Sequence, residues 1–227
     1  MHLQTLEERL SHIGLQLGML SRSDGSAFFS IEDTSVIANV QGPIEARMSS
    51  QKPDVAIIDL NLLPSHTVAP SSKLEINVGG MENIIFKFIE KMIMRELYPH
   101  SAIVITIQII SDYGSLLSCC INAVCSALID AGIGLNHVLA ATSFCFINDQ
   151  CHYFIQKEVE HRLVENSVEE FYELTIAQTR DGRVAMTSDF PFTSNQVDHC
   201  LNVVGKSSQA IFDVYTHACK KKLNVLS

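Results

Sequence analysis

The most reactive side chains in this sequence are seven cysteines, which could serve as metal ligands, disulfide partners or nucleophiles. Their number is odd, no two are spaced as CxxC, and His152 beside Cys151 lacks a second pair at ligand spacing. Glu7, Glu8 and Arg9 interrupt the apolar run that an export signal would need. We therefore predict buried structural thiols, a reducing compartment and no metal site. The cysteines are Cys119, Cys120, Cys125, Cys145, Cys151, Cys200 and Cys219.

The sequence has few of the cationic side chains that a protein needs to bind a phosphate backbone. Sixteen Lys and Arg stand against 25 Asp and Glu, which gives a formal net charge of −9. The densest cluster is Lys220–Lys222, which we interpret as a solvated helix end. Binding of RNA by this chain alone is therefore not favoured, whereas binding as one wall of a larger assembly stays open. The apolar content of 47% suits either a thick core or a surface that a partner covers.

One segment is apolar on nearly every side, and it begins just after a turn. The turn is Asp112–Ser115, and the segment Leu116–Ala131 that follows has helical spacing, with Gly132 at its end. A helix with so little polar face is predicted to lie buried between layers. Cys119 and Cys120 are then small core residues.

The remaining pattern predicts a layered α/β or α+β domain without an internal linker, which contains strands and three further helices. The longest apolar run, Ala102–Ile110, is too short to cross a membrane. The predicted helices are Leu3–Ile13, Met81–Leu97 (stopped by Pro99) and Thr193–Lys222, the last with Val197, Leu201, Val204, Ile211 and Tyr215 inward. The predicted strands are Leu15–Leu20, Ala27–Ile31, Ser35–Val40 (ended by Gly42-Pro43), Asp54–Leu63, Ala102–Ile110, His137–Ile147, Cys151–Ile155, Val168–Gln178 and Arg183–Thr187.

Four stretches, in this order and spacing, resemble the RNase PH family of phosphorolytic exoribonucleases. They are Arg22–Ala27, Asp33–Pro43, Leu97–His100 and Ser111–Gly132. The run Asp-x-Gly-Ser-Leu-Leu-x-Cys-Cys-x-Asn within the fourth is similar to ring subunits of the eukaryotic RNA exosome rather than to bacterial RNase PH. The resemblance spans most of Leu20–Ala141, and the last third of the chain diverges more.

The resemblance implies an RNase PH-like fold (ribosomal protein S5 domain 2-like), a mixed sheet packed on helices. It makes residues 1–227 a single domain, with the motifs in 15–147 and a diverged part in 148–227. It also implies a ring of six such subunits, topped by RNA-binding cap subunits, that threads RNA to a separate nuclease. Because such a ring takes part in rRNA maturation and RNA turnover, the resemblance also implies that the protein is located in the nucleus, the nucleolus and the cytoplasm. No cofactor is expected.

Phosphorolysis brings two anions together, so its site needs arginines, backbone N–H groups at a helix N-terminus and a carboxylate. By the resemblance, the turn that holds phosphate is Gly114-Ser115-Leu116, where leucine replaces the family's arginine. We expect Leu116 at the mouth of this vestigial site, where the fold would tolerate Leu116→Arg. Active members also place arginines before the helix at Met81, where Lys73 is the only nearby cation.

The family's catalytic aspartates are missing as well. The best match puts Ile155 and His161 where carboxylates are expected, and only glutamates lie nearby. We therefore predict a non-catalytic ring subunit. One alternative is a homodimeric nuclease with residual phosphorolytic or metal-dependent activity, and another is a scaffold that uses the fold only to dimerise. In the first alternative the metal would be held by Glu158, Glu160 or Glu165.

Two further groups of residues complete the expectations. The resemblance implies RNA contacts in the loop after Gly42-Pro43, with Arg47 and Lys52 as candidates beside Lys73. Asp24, Gly25 and Asp33 are predicted to be structural turn residues, with Asp24 suited to an Asx-turn.

Overall fold

The structure is a computed structural model that describes residues 10–48, 51–64, 78–147, 150–153, 171–188 and 191–226. These residues form nine strands in two sheets, three α-helices and one 3-10 helix at Arg95–Leu97. The strands are β1 Ile13–Leu17, β2 Gly25–Ile31, β3 Thr34–Glu45, β4 Ile57–Leu63, β5 Ser101–Ser111, β6 Leu139–Ile147, β7 Gln150–Tyr153, β8 Phe171–Thr179 and β9 Val184–Ser188. The helices are α1 Val78–Met92, α2 Leu116–Ala131 and α3 Ser194–Leu226.

The first sheet has five strands in the order β1-β2-β3-β5-β4. Its pairs are antiparallel except β4 with β5, which run parallel and therefore need a crossover between them. Helix α1 lies in this crossover. The sheet is mixed, which confirms the predicted class.

The second sheet has four antiparallel strands in the order β7-β6-β8-β9, and α2 lies between the two sheets. This helix packs on β2 and β3 of the first sheet and on β6 and β8 of the second. Twelve of its residues are buried, from Leu116 to Leu128, so the prediction of a helix buried between layers is confirmed. One hydrophobic core contains Phe29 of the first sheet, Val124 of α2 and Ala177 of the second sheet.

Asn122, near the middle of α2, fastens the helix to the second sheet. Its amide donates to the carbonyl of Ala141 at 2.9 Å and accepts the N–H of Ala141 at 2.7 Å. The Tyr215 hydroxyl of α3 donates to the same Asn122 oxygen at 3.0 Å. A buried amide must have its hydrogen bonds satisfied, and here they are satisfied by both neighbouring elements.

Gly25, at the start of β2, is required by the close approach of α2. A Cβ atom at this position would lie 2.3 Å from the backbone nitrogen of Ala131 and 2.4 Å from the carbonyl oxygen of Ala127. The Arg-x-Asp-Gly stretch and the end of α2, which are far apart in sequence, therefore pack directly on each other. Gly25 has the predicted structural role, but the reason is helix packing and not a turn.

Asp130, on the last turn of α2, joins the same region to the C-terminal helix. Its side chain is 2% exposed, accepts the backbone N–H of Ser26 at 3.0 Å, and forms an ion pair with Lys222. The interpretation of Lys220–Lys222 as a solvated helix end is therefore wrong for Lys222, since a buried carboxylate draws its ammonium group inward.

The third strand continues past the point where its end is predicted. β3 continues to Glu45 and includes the cis peptide bond between Gly42 and Pro43. Its register with β5 is irregular at this point. The carboxylate of Asp24 accepts the Gly42 N–H at 2.8 Å, so Asp24 supports the neighbouring strand and does not form the predicted Asx-turn. Gly42 itself has φ +148°, a conformation that favours glycine.

Two other predicted boundaries are wrong in detail. The helix predicted at Met81–Leu97 ends at Met92, because the Met92 carbonyl accepts the N–H of Asn136 at 2.7 Å. Ile13 begins β1 and does not end a helix; residues 3–9 of the predicted N-terminal helix lie outside the described residues. Leu201 on α3 is 38% exposed, although it was expected to point inward with Val204.

Candidate phosphate and RNA sites

The turn at Gly114-Ser115 is held by the opposite strand. Thr34, the first residue of β3, accepts the N–H of Tyr113 at 2.9 Å through its hydroxyl, which donates to the carbonyl of Gly114 at 2.7 Å. The Asp112 carboxylate accepts the Gly114 N–H at 3.3 Å. Sequence reasoning missed Thr34, although the motif Asp33–Pro43 contains it.

Ser115 is the N-cap of α2, and its backbone is left-handed with φ +55°. Its carbonyl accepts the N–H of Cys119 at 3.1 Å and the hydroxyl of Ser118 at 2.9 Å. The Ser115 hydroxyl makes no capping bond. The N–H groups of the helix's first turn have no carbonyl partner within the helix, so the backbone of this turn keeps the donors that an anion requires.

Leu116, the first residue of α2, does not lie at an open mouth. Its side chain is 6% exposed and belongs to the hydrophobic core. The neighbouring Leu117 is the more exposed of the two. This burial argues against the expectation that the fold tolerates arginine at position 116, because a guanidinium there would enter packed apolar surroundings.

The thiols of α2 are not nucleophiles. Burial raises the pKa of Cys120, and the nearby Asp112 carboxylate raises it further. Burial likewise raises the pKa of Cys119, and that of Cys125 to about 12. All three thiols stay protonated at neutral pH, which agrees with their predicted role in the core. Of the seven cysteines, five are buried, whereas Cys151 and Cys219 are partly exposed, so the prediction of buried thiols is wrong for these two.

The candidate RNA contacts Arg47 and Lys52 lie in the loop between β3 and β4, and both are exposed. The carbonyl of His100, just before β5, accepts the N–H of Ala46 at 3.2 Å, and the His100 N–H donates to the carbonyl of Lys52 at 3.2 Å. His100 has φ +59° and is also exposed. The structure thus places His100 beside the two candidate cations, a neighbour that sequence reasoning missed because it depends on strand pairing.

These two regions lie at opposite ends of β5. His100 precedes Ser101, the first residue of the strand, and the Gly114-Ser115 turn follows its last residue, Ser111. A strand of 11 residues that rises about 3.3 Å per residue separates them by roughly 30 Å. The described structure therefore does not bring Arg47 and Lys52 into the vestigial phosphate site.

Several predicted site residues lie outside the described residues. Lys73 is one of them, and so are the positions that match the family's aspartates and the nearby glutamates, namely Ile155, His161, Glu158, Glu160 and Glu165. Within the described ranges, no three His, Cys, Asp or Glu side chains are grouped so as to hold a metal ion. Within the same ranges, no helix has the length and apolar character needed to span a membrane.

Comparison with known proteins places this geometry in a family. Residues 9–134 match the RNase PH family, described as the 3' exoribonuclease family, domain 1. The exosome complex component RRP46 of Saccharomyces cerevisiae is 31% identical over 160 residues, which are 67% of this chain and 70% of that protein. The RRP46 homolog of Caenorhabditis elegans is 27% identical over 220 residues, 96% of this chain and 97% of that protein.

A solved structure has the same fold. The crystal structure of rice (Oryza sativa) Rrp46 superposes with a TM-score of 0.74 at 21% identity, over 90% of this chain and 92% of that one. The fold described above, a mixed sheet and an antiparallel sheet around a buried helix, and the match of residues 9–134 indicate the same family. This chain belongs to the RNase PH family of 3' exoribonucleases and has its fold.

Proposed function

We propose that this chain is a structural subunit of the RNA exosome core ring and has no phosphorolytic activity of its own. Two of its relatives are named exosome components, and the nematode relative matches nearly the full length of both chains. In the ring it forms interfaces with other RNase PH-like subunits and with RNA-binding cap subunits. It thereby supports 3'–5' processing and degradation of RNA, including rRNA maturation, in the nucleus, nucleolus and cytoplasm.

The observation that carries the loss of activity is the burial of Leu116. The family resemblance implies a phosphate-holding cation at this position of the turn, and the residue here is an apolar side chain that is 6% exposed and packed in the core. The change removes the charge and also fills the space near the helix terminus with hydrocarbon. The Thr34 bonds that hold the turn serve the fold whether or not phosphate binds.

The RNA-facing part of the proposal rests on the loop that contains Arg47 and Lys52. Both side chains are exposed next to the His100 corner, about one strand length from the vestigial site. In an assembled ring, these cations would contact the backbone of RNA in the channel, while neighbouring subunits supply the rest of the positive charge. The net charge of −9 agrees with a subunit that does not bind RNA alone.

Ring membership is tested by purification of the tagged full-length chain from its native cell at moderate salt, followed by identification of the co-purifying proteins. We expect the other RNase PH-like subunits and the cap subunits at comparable amounts. Recovery of the chain only with itself would contradict ring membership and favour a homodimer.

Loss of activity is tested separately on the isolated chain. Incubation of a labelled oligoribonucleotide with phosphate and Mg²⁺ is expected to release no nucleoside diphosphate. Release that grows with protein concentration and stops when phosphate is omitted would contradict this part of the proposal, whatever the chain assembles with.

One observation favours the alternative of residual nuclease activity. The first turn of α2 keeps its free backbone donors and a Ser115 hydroxyl without a capping bond. With a metal held by Glu158, Glu160 or Glu165, this turn could still bind phosphate in a homodimeric nuclease. Cleavage that needs a divalent metal and is lost in a Glu158→Gln, Glu160→Gln, Glu165→Gln variant would support this alternative.

A further inference from the structure

Cys151 and Cys200 meet at the edge of the second sheet. Cys151 lies on β7, one of the two edge strands of this sheet, opposite Phe146 of β6, and Cys200 lies in the second turn of α3. Cys200 is fully buried in the second hydrophobic cluster, and Cys151 is partly exposed and packs against the same cluster. Phe146, the strand partner of Cys151, belongs to the same cluster. A strand and a helix that are distant in sequence therefore bring two cysteines to one apolar cluster, close enough for each thiol to shift the pKa of the other.

The pair is chemically asymmetric. The hydrogen bond with Cys200 holds the pKa of the Cys151 thiol below its ordinary value, whereas the hydrogen bond with Cys151, together with burial, raises that of Cys200. The thiolate is the nucleophile, so the partly exposed Cys151 is the sulfur that reacts first with a reagent from solvent. Cys219 is also partly exposed, but burial raises the pKa of its thiol, so Cys219 forms the thiolate less readily than Cys151.

We propose that Cys151 is an oxidant-sensitive thiol that hydroperoxides convert, with Cys200 as its resolving partner, into a disulfide between β7 and α3. The Cys151 thiolate attacks the terminal oxygen of the peroxide, whose O–O bond breaks and releases an alcohol or water. The product is a sulfenic acid. The Cys200 sulfur then attacks the Cys151 sulfur, the S–O bond breaks, and water leaves with the Cys200 proton. Two thiols lose two electrons in total, and the peroxide gains them.

The test uses the full-length reduced protein and hydrogen peroxide. After oxidation and alkylation of the remaining thiols, we expect peptide mapping without reductant to find one cross-linked pair, Cys151 with Cys200. In a Cys200→Ser variant, Cys151 is expected to stop at the sulfenic acid, which a dimedone probe traps. The Cys219→Ser variant is the matched control, because it removes another partly exposed thiol and should leave the cross-link unchanged.

A second measurement needs no variant and therefore does not depend on how the variants fold. The rate of alkylation by iodoacetamide, followed at each cysteine of the wild-type protein, should reach half its maximum at a lower pH for Cys151 than for Cys219. The proposal is overturned if Cys151 alkylates at the higher pH of the two. It is equally overturned if peroxide leaves Cys200 free while Cys151 accumulates as sulfinic acid.

Discussion

At the scale of single residues, Leu116 and Lys222 differ most from what their positions in the sequence indicate. Leu116 begins α2 where the family resemblance implies a phosphate-holding arginine, yet its side chain is part of the core. Lys222 lies in a basic run at the end of α3, yet it pairs with the buried carboxylate of Asp130. In both cases the sequence position suggests a role for the side chain, and the tertiary contacts of that side chain decide whether it can perform this role.

Leu116→Arg is expected to destabilise the protein and not to restore phosphorolysis. A guanidinium placed in packed apolar surroundings should lower the free energy of unfolding by roughly 2–4 kcal/mol. The control is Leu117→Arg at the next, more exposed position, which should lower it much less. Thermal melting measures both variants. Equal melting temperatures for wild type and Leu116→Arg would show that this side chain is not in the core.

Lys222→Met is expected to cost roughly 1–3 kcal/mol of stability, because it leaves the buried Asp130 carboxylate with the Ser26 N–H but without its counter-ion. Lys222 is 38% exposed, which limits the loss, since water can reach part of the site. The adjacent, exposed Lys221→Met should stay within about 0.5 kcal/mol of wild type. Urea denaturation of the three proteins checks this, and similar losses in both variants would point to a general charge effect.

At the scale of elements, α2 organises the fold, since it packs on both sheets at once. Leu128→Asp is expected to unfold the isolated protein, because the side chain is 0% exposed and an unpaired carboxylate there costs several kcal/mol, roughly the stability of an ordinary domain. The control is Val184→Asp on the edge strand β9, where the side chain is 38% exposed. Circular dichroism distinguishes the two; a folded Leu128→Asp protein would place α2 elsewhere.

The sequence pattern predicted α2 with the bounds that the structure has, because its apolar residues continue on every face and Gly132 takes the left-handed conformation that ends it. The end of α1 could not be predicted in this way. No residue inside Ile93–Leu97 opposes a helix; the helix ends there because Asn136, some forty positions later, bonds the Met92 carbonyl. Similarly, the separation of Arg47 from Gly114 depends on which strands pair, and no local pattern contains that information.

At the scale of the whole molecule, the negative net charge limits the affinity of the isolated chain for RNA. With a net charge of −9, its affinity for single-stranded RNA is expected to stay in the non-specific range, about 10⁻⁴–10⁻⁶ M at physiological salt. Fluorescence anisotropy with a labelled oligoribonucleotide measures it. Nanomolar binding by the lone chain would contradict the prediction.

In the ring that we propose, Arg47→Glu with Lys52→Glu is expected to reduce the cross-linking of RNA to this subunit, because two exposed cations of one loop become repulsive. The matched control is Lys87→Glu with Lys91→Glu, the same charge change at exposed positions of α1. Equal loss with both pairs would mean that overall charge, and not this loop, attracts the RNA.

The position of Asn122 has a consequence for how the protein opens. One end of α2 bonds to β2 through Asp130, and its middle bonds to β6 through Asn122, so neither sheet can separate while the helix stays in place. Amide protons on β2, β6 and α2 should therefore exchange with deuterium together, at a rate set by a single global opening. Those of the edge strand β9, which has a neighbour on one side in its sheet, should exchange earlier.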